Sequence, residues 1–139
     1  MKMIGTIVVA HGNIGVEMVR VARSIVVDSA PMAGVALEHD EDVSQMREKI
    51  RGAIQEVDRG GGILLLSDMF GGTPSNLCMS FLQEGRVEVI TGVNLPMLIK
   101  LASFRGDRSL AEIAAFIREY GQKNIALAGE VLKGSGGSA

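Results

Sequence analysis

The feature that most constrains the fold of this chain is a regular alternation between two kinds of segment. Short, mostly apolar runs occupy residues 4–10, 32–37, 63–66 and 87–90. Between these runs, apolar residues recur every three or four positions. A short continuous apolar run is typical of a strand buried on both faces, and the wider spacing is typical of an amphipathic helix. The alternation predicts an α/β fold, with a doubly wound, mainly parallel sheet and helices on both faces.

Local helix signals agree with this alternation. Apolar residues step by three or four over residues 43–57, which predicts a helix there. Pro74 and Pro96 stand where a first helical turn tolerates proline, and we expect the helix at Pro74 to run to about residue 83. Residues 109–112, Ser-Leu-Ala-Glu, form a capping box that opens a further helix.

The C-terminal segment is less determined by its sequence. Residues 125–132 fit either a last strand or a continued helix, and the pattern does not decide between them. Residues 133–139, KGSGGSA, predict a flexible tail. A chain of 139 residues is the usual size of one domain, so we expect a single domain over residues 1–132 followed by that tail.

Composition excludes several classes of protein. The formal net charge is -2 and no run of Lys or Arg stands out, so a nucleic-acid-binding surface is not expected. Cys78 is the one cysteine, which rules out an intramolecular disulfide and fits a reducing compartment. No apolar stretch reaches the roughly 18 residues that span a bilayer. We therefore expect a cytoplasmic protein.

Three loops follow predicted strands, at residues 11–15, 67–73 and 91–95. In open parallel sheets, ligands meet the loops at the carboxyl ends of the strands. The first loop carries His11 directly after an apolar run, followed by Gly12 and, within about four residues, by a helix start. N–H groups at a helix N-terminus favour a nearby anion, so His11 is placed to hold a phosphoryl group. The alternative is a structural histidine bonded to nearby backbone.

The second loop contains Asp68, Gly71, Gly72 and Thr73. In the flavodoxin-like strand order the first and third strands are neighbours, which would let Asp68 face His11 across adjacent strand ends. The glycines permit unusual backbone dihedrals and close approach of a ligand. Thr73 fits either a helix cap or a contact with a phosphoryl oxygen. The alternative is a plain connecting loop, with an acidic residue and glycines for turning.

Other polar residues carry weaker signals. Asn94, in the third loop, either caps the helix that Pro96 opens or contacts the same ligand. His39 lies among acidic residues and is interpreted as a solvated loop residue, and Cys78 as a core residue. The acidic segment 38–42 lacks the spacing of a calcium loop, and no nucleotide-binding glycine motif is present, so neither a metal nor a cofactor is expected.

Three motifs, in this order, give the chain a family resemblance: VVAHG at residues 8–12, DMFGGTPSN at 68–76 and GVNLPM at 92–97. The chain resembles the IIA domain of the mannose-family phosphotransferase system (PTS) over residues 3–132. The resemblance implies that His11 is the phosphorylated residue, that Asp68 hydrogen-bonds it and that Thr73 lies near the phosphoryl group. It further implies a homodimer whose C-terminal antiparallel strand, here residues 125–132, is exchanged between subunits.

These expectations define a mechanism. The resemblance implies a phosphotransferase that takes a phosphoryl group from the carrier protein HPr and passes it to a IIB component. No Ala/Pro-rich linker or IIB domain follows in this sequence, so we expect the IIB acceptor to be a separate protein. The membrane would be involved only through IIC and IID partners. The expected catalytic residues are His11 and Asp68, and the expected phosphoryl-binding residues are Gly12, Gly71, Gly72, Thr73 and Asn94.

Two alternatives remain open at this point. One is a regulatory PTS phosphoprotein with no role in transport. The other is the phosphotransfer subunit of dihydroxyacetone kinase, which carries a histidine after its first strand. The sequence does not specify a sugar, because selection of the sugar belongs to the membrane components.

Overall fold

The four apolar runs form one parallel sheet in the computed structural model, which describes residues 2–136. The strands follow one another in the order β2-β1-β3-β4 across the sheet. All three strand pairs are parallel. Their bounds are β1 Gly5–His11, β2 Met32–Leu37, β3 Ile63–Ser67 and β4 Val87–Thr91. The predicted α/β class and parallel sheet are confirmed.

Six helices lie among the described residues: α1 Ile14–Ile25, α2 Val43–Val57, α3 Thr73–Met79, α4 Leu95–Ser103, α5 Leu110–Lys123 and α6 Ala128–Gly136. Helices α1, α4 and α5 share one buried apolar cluster with the sheet, and α2 and α3 share the cluster on the other face. Helices therefore cover both faces, as predicted. None of these six helices is long and apolar enough to cross a bilayer.

Strand β1 is central to the sheet and fully enclosed. Ile7 and Val9 belong to the cluster with α2 and α3, whereas Val8 and Ala10 belong to the cluster on the opposite face. All four side chains are inaccessible to solvent. His11, the last residue of the strand, is the first after Ile4 to be partly exposed. The strand therefore places His11 at the carboxyl edge of the sheet, directly after a fully buried segment.

Helix α1 lies unusually close to the sheet at a glycine. A Cβ atom added at Gly34 of β2 would lie 2.6 Å from the Cα of Val16. In the first turn of α1 itself, a Cβ added at Gly15 would lie 2.8 Å from the carbonyl oxygen of Val8 on β1. The absence of side chains at Gly34 and Gly15 lets the first turn of α1 pack directly behind His11.

Two predicted helix boundaries differ from those observed. Helix α1 begins at Ile14, so the first loop is only Gly12 and Asn13 rather than residues 11–15. Helix α3 ends at Met79 and not near residue 83. The N–H of Gln83 donates to the carbonyl of Val87 at 3.1 Å, so the chain is already turning back toward β4 there.

The C-terminal antiparallel strand expected over residues 125–132 is not formed. Residues 128–136 form helix α6, and the sheet of the described residues has only its four parallel strands. A strand needs an edge to pair with, and among the described residues this segment pairs with neither edge of the four-stranded sheet. Ala, Glu, Leu and Lys at 128, 130, 132 and 133 are good helix formers, so helix is the favoured local structure. The predicted start of the tail at residue 133 falls inside α6, and residues 137–139 lie outside the described residues.

Candidate functional site

His11 and Asp68 lie together at the carboxyl edge of the sheet. Strands β1 and β3 pair in register with Val9 opposite Ser67, so the residues that follow emerge side by side. The His11 ring nitrogen Nδ1 is 2.8 Å from Oδ2 of Asp68. The backbone N–H of His11 donates to the same oxygen at 3.2 Å. The facing predicted from strand order is thus found in the structure.

The carboxylate of Asp68 is surrounded by hydrogen-bond donors. Besides the two groups of His11, the backbone N–H of Met69 donates to Oδ1 at 3.1 Å. Burial acts to raise the pKa of Asp68, since its side chain is only 16% exposed. The hydrogen bonds from the ring and backbone of His11 outweigh burial and leave the pKa below its ordinary value. Asp68 is therefore ionised at neutral pH.

The ionised carboxylate determines which ring nitrogen of His11 is free. A carboxylate can only accept hydrogen bonds, so in the neutral ring the proton must lie on Nδ1. Nε2 then keeps its lone pair. Since 44% of the His11 side-chain surface is exposed, the ring is open to a reacting group from outside.

A cavity of about 310 Å³ adjoins the His11 ring. Its walls come from the ends of β1 and β2, the loop and helix after β2, and the start of α3: His11, Gly12, Leu37, Glu38, His39, Met46, Gly72, Thr73 and Pro74. Gly72 lies against the ring, since a Cβ there would be 3.6 Å from Nε2. Gly71 and Gly72 both have positive φ, at 85° and 95°, which glycine adopts without strain.

Thr73 is the first residue of α3 and lines the cavity with an exposed side chain. The N-cap position is occupied by Gly72, with no side-chain hydrogen bond at the cap. Of the two roles that the sequence left open for Thr73, capping is therefore not the one adopted. The exposed side chain of Thr73 is accessible to a group bound in the cavity beside His11.

Two residues predicted to bind the phosphoryl group are engaged elsewhere. The N–H of Gly12 donates to the carbonyl of Leu37 at 3.0 Å, which fastens the end of β2 beside His11. The Asn94 side chain accepts from the N–H of Met97 at 3.2 Å and donates to the carbonyl of Gly121 at 3.0 Å. Asn94 thus adopts the capping alternative and lies outside the wall of the cavity.

Glu38 and His39 were not predicted as site residues: His39 was interpreted as a solvated loop residue, and Glu38 was considered only as part of the acidic segment 38–42. Both are exposed, but both line the cavity with His11. The signal was available, because their loop follows β2 and must reach the same edge of the sheet as the loops after β1 and β3. Cys78, by contrast, is buried as expected, and burial raises its pKa to about 12. Within residues 2–136, no three His, Cys, Asp or Glu residues are grouped to hold a metal ion.

Comparisons with known proteins support one family. The family model EIIA-man, described as "PTS system fructose IIA component", matches residues 5–118. The chain is 27% identical over 132 residues to the fructose-specific EIIA component of Bacillus subtilis, covering 94% of this chain and 90% of that protein. It is 35% identical over 95 residues to the transcriptional regulatory protein LevR of the same organism, covering 68% of this chain and 9% of that protein.

A solved structure is similar over almost the same span. It is the mannose/sorbose-specific IIA subunit of the phosphotransferase system from Enterococcus faecalis, with 28% sequence identity and a TM-score of 0.79. The similarity covers 91% of this chain and 95% of that chain.

Proposed function

Because this chain belongs to the EIIA-man family of PTS IIA components, a family of phosphotransfer proteins, we propose that it accepts a phosphoryl group from phospho-HPr on His11 and passes it to a IIB component. The contact between Asp68 and His11 is the main support for this proposal. The Asp68 carboxylate lies 2.8 Å from Nδ1 of His11 and leaves Nε2 beside an open cavity. A histidine held in this way is a nucleophile with a fixed tautomer and a fixed orientation.

The proposed transfer forms one bond and breaks one bond. The lone pair of Nε2 attacks the phosphorus of the donor phosphohistidine in line with its P–N bond. That bond breaks, and its electron pair returns to the imidazole of the donor. His11 then carries the phosphoryl group on Nε2 and the proton on Nδ1, and the ring gains positive charge that the Asp68 carboxylate stabilises. Transfer to IIB repeats the same exchange with the roles reversed.

The protein contributes positioning and charge stabilisation, which dominate phosphoryl transfer. Gly72 allows the phosphoryl group to approach without meeting a side chain. We assign the Thr73 hydroxyl as a donor to a phosphoryl oxygen, since Thr73 lines the cavity with His11. We do not assign the amide of Gly12 or the side chain of Asn94 to the phosphoryl group, since each already has a partner. No step of the scheme uses a metal ion or a cofactor.

The rim of the site is suited to a protein partner. Phe70 is 72% exposed and follows Asp68 by two residues, and Ile14 and Met69 are also exposed apolar side chains next to the site in sequence. Exposed apolar side chains around a polar centre are typical of a protein interface. We place the docking of HPr and of a separate IIB protein here, in the cytoplasm, with the membrane reached only through IIC and IID partners.

The proposed assembly is a homodimer. Residues 125–132 carry exposed apolar side chains, with Ile125 77% and Leu127 67% exposed. Strand β4 lies at one edge of the sheet and offers backbone groups for pairing. At the other edge, carbonyls of β2 already accept hydrogen bonds from Arg23 and Lys49. The β4 edge is therefore the one to which we assign the partner's C-terminal segment, which would have to exchange its α6 helix for a strand on pairing there.

A regulatory phosphoprotein is the second candidate, favoured by the similarity to the regulatory protein LevR. Such a protein would use the same site but bind partners according to its phosphorylation state. A pull-down from cells that compares His11→Ala with His11→Glu separates the two functions. A partner that binds only one of these variants supports regulation, whereas partners limited to HPr and IIB support a pure carrier.

The decisive experiment is incubation with phosphoenolpyruvate and the general PTS donor proteins, followed by mass spectrometry. One phosphoryl group on the wild-type chain, located on His11 and absent from His11→Ala, is the expected result. Transfer of that group to an added IIB protein then tests the acceptor. A chain that stays unmodified while HPr is fully phosphorylated contradicts the proposal.

A further inference from the structure

We propose that His39 contacts the phosphoryl group carried by His11, through a ring N–H donated to a phosphoryl oxygen. The inference rests on the function proposed above and extends its site by one residue. His39 belongs to the loop after β2 and lines the cavity together with His11 and Thr73.

The geometry of His11 directs the phosphoryl group toward this cavity. Nδ1 is held by Asp68, so the phosphoryl group must be carried by Nε2. Nε2 lies against Gly72, one of the cavity walls, with no side chain between them. Phosphoryl oxygens on Nε2 therefore occupy the space between the start of α3 and the loop that carries His39.

The charges around this space are unfavourable to a phosphoryl group without His39. A phosphoryl group carries close to two negative charges. Glu38 lines the same cavity, and the ionised Asp68 lies behind the ring. No Lys or Arg is among the described residues that line the cavity. Besides His11 itself, His39 is the one side chain lining this cavity among the described residues that offers a ring N–H.

The loop that carries His39 is fixed in place by a hydrogen-bonded carboxylate. Glu41 accepts the backbone N–H of Glu38 at 2.8 Å and forms an ion pair with Lys49 at 2.7 Å. Lys49 also donates to the carbonyl of Ala36 at 2.7 Å, which ties α2 and the loop to the end of β2. The hydrogen bond from Lys49 is the main cause that lowers the pKa of Glu41. These contacts hold the loop that carries His39 in place beside the cavity.

The test compares two phosphoryl donors on the full chain. Phospho-HPr requires docking of a protein. Phosphoramidate does not, since its P–N bond breaks and ammonia leaves with the electron pair and a proton from water. We expect His39→Ala to slow phosphorylation of His11 about tenfold with both donors, as for loss of one hydrogen bond to a charged group. The ³¹P resonance of the phosphorylated ring should also shift.

Three further variants serve as controls. His39→Gln keeps an N–H donor and should restore most of the rate. Glu38→Gln removes a negative charge from the cavity and should act in the opposite direction, raising the rate. Asp40→Asn changes an exposed residue of the same loop that does not line the cavity, and should leave both the rate and the ³¹P resonance unchanged.

Each outcome decides between the two proposals. If His11 is phosphorylated but His39→Ala changes neither the rate nor the resonance, the role of His39 is overturned and the carrier function stands. A slower reaction with phospho-HPr alone assigns His39 to docking and also overturns the contact. If phospho-HPr fails to modify the wild-type chain, the carrier function is contradicted, and the phosphoramidate reaction still decides the role of His39. If neither donor modifies His11, both proposals fail.

Discussion

At the scale of single residues, the chemistry of the site depends on a carboxylate at position 68. Three N–H groups point at Asp68: the ring and backbone of His11 and the backbone of Met69. A carboxylate accepts all three. An amide cannot, because one of its two ends is itself a donor. The three hydrogen bonds at position 68 can therefore all be accepted by Asp, but not by the nearly isosteric Asn.

Asp68→Asn is expected to slow phosphorylation of His11 by about ten- to a hundredfold, since a charge-assisted hydrogen bond is worth about 1.5–3 kcal/mol. If the amide oxygen stays toward His11, its NH₂ opposes the N–H of Met69. If it flips, the NH₂ faces Nδ1 and favours the other tautomer. A phosphotransfer time course measures the effect, with a ¹H–¹⁵N spectrum to show that the variant is folded. An unchanged rate would mean that the two residues are not functional partners.

The same pair has a predicted pH dependence. Because the folded pKa of Asp68 lies below its unfolded value of roughly 3.9, the pair stabilises the fold fully above that value. The contribution is lost as the pH falls through the folded pKa. The difference in unfolding free energy between wild type and Asp68→Asn should therefore shrink as the pH falls below about 4, where the Asp68 carboxylate becomes protonated. Denaturant titrations at several pH values from about 4 downward measure it, and a difference that stays the same over that range would contradict the assignment.

The sequence was most informative about residues whose position follows from topology. Asp68 faces His11 because β1 and β3 are neighbours, as expected from the flavodoxin-like strand order. Whether an amide is free depends instead on tertiary partners. The N–H of Gly12 donates to the carbonyl of Leu37, and the side chain of Asn94 donates to the carbonyl of Gly121, 27 residues away. Neither contact can be predicted from the residues next to it in the sequence. His39 was missed because its acidic neighbours suggested solvent, although its place after β2 was known.

At the scale of elements, hydrophobic periodicity was a sound guide to strands and helices. Strand β2 and helix α2 have the predicted bounds. Two kinds of boundary were missed. Helix α3 stops early because the chain turns back between Gln83 and Val87 to enter β4. Among the described residues, the segment after α5 does not pair with the sheet, and residues 128–136 form α6 instead.

The close packing of α1 on β2 provides a test at this scale. Gly34→Ala places a Cβ 2.6 Å from the backbone of α1, so helix and strand must separate. We expect the unfolding free energy to fall by about 1–3 kcal/mol, as for overpacked cores. Gly52→Ala is the matched control, because Gly52 lies within α2 with no atom near the new Cβ. It should raise stability by about 0.5–1 kcal/mol through helix propensity. Equal effects of the two variants in denaturant titrations would count against the packing described.

At the scale of the whole molecule, the prediction concerns assembly. The full chain should have about twice its monomer mass by light scattering at micromolar concentration. Deleting residues 125–139 leaves α5 with its C-cap Asn124 but removes the exposed apolar segment, and should give a monomer or an aggregate. Deleting only residues 137–139 should leave the dimer intact. A monomeric full chain would rule out the proposed dimer while leaving the phosphoryl site untouched.

We propose that Asp68 keeps the proton on Nδ1 of His11, so that Nε2 receives the phosphoryl group. Long-range ¹H–¹⁵N spectra of the ring, recorded before and after reaction with phospho-HPr, test this role of Asp68. We expect a proton on Nδ1 in both states and a phosphorus coupling to Nε2 after the reaction. A phosphorus coupling to Nδ1, or to the ring of His39 in place of His11, would contradict it.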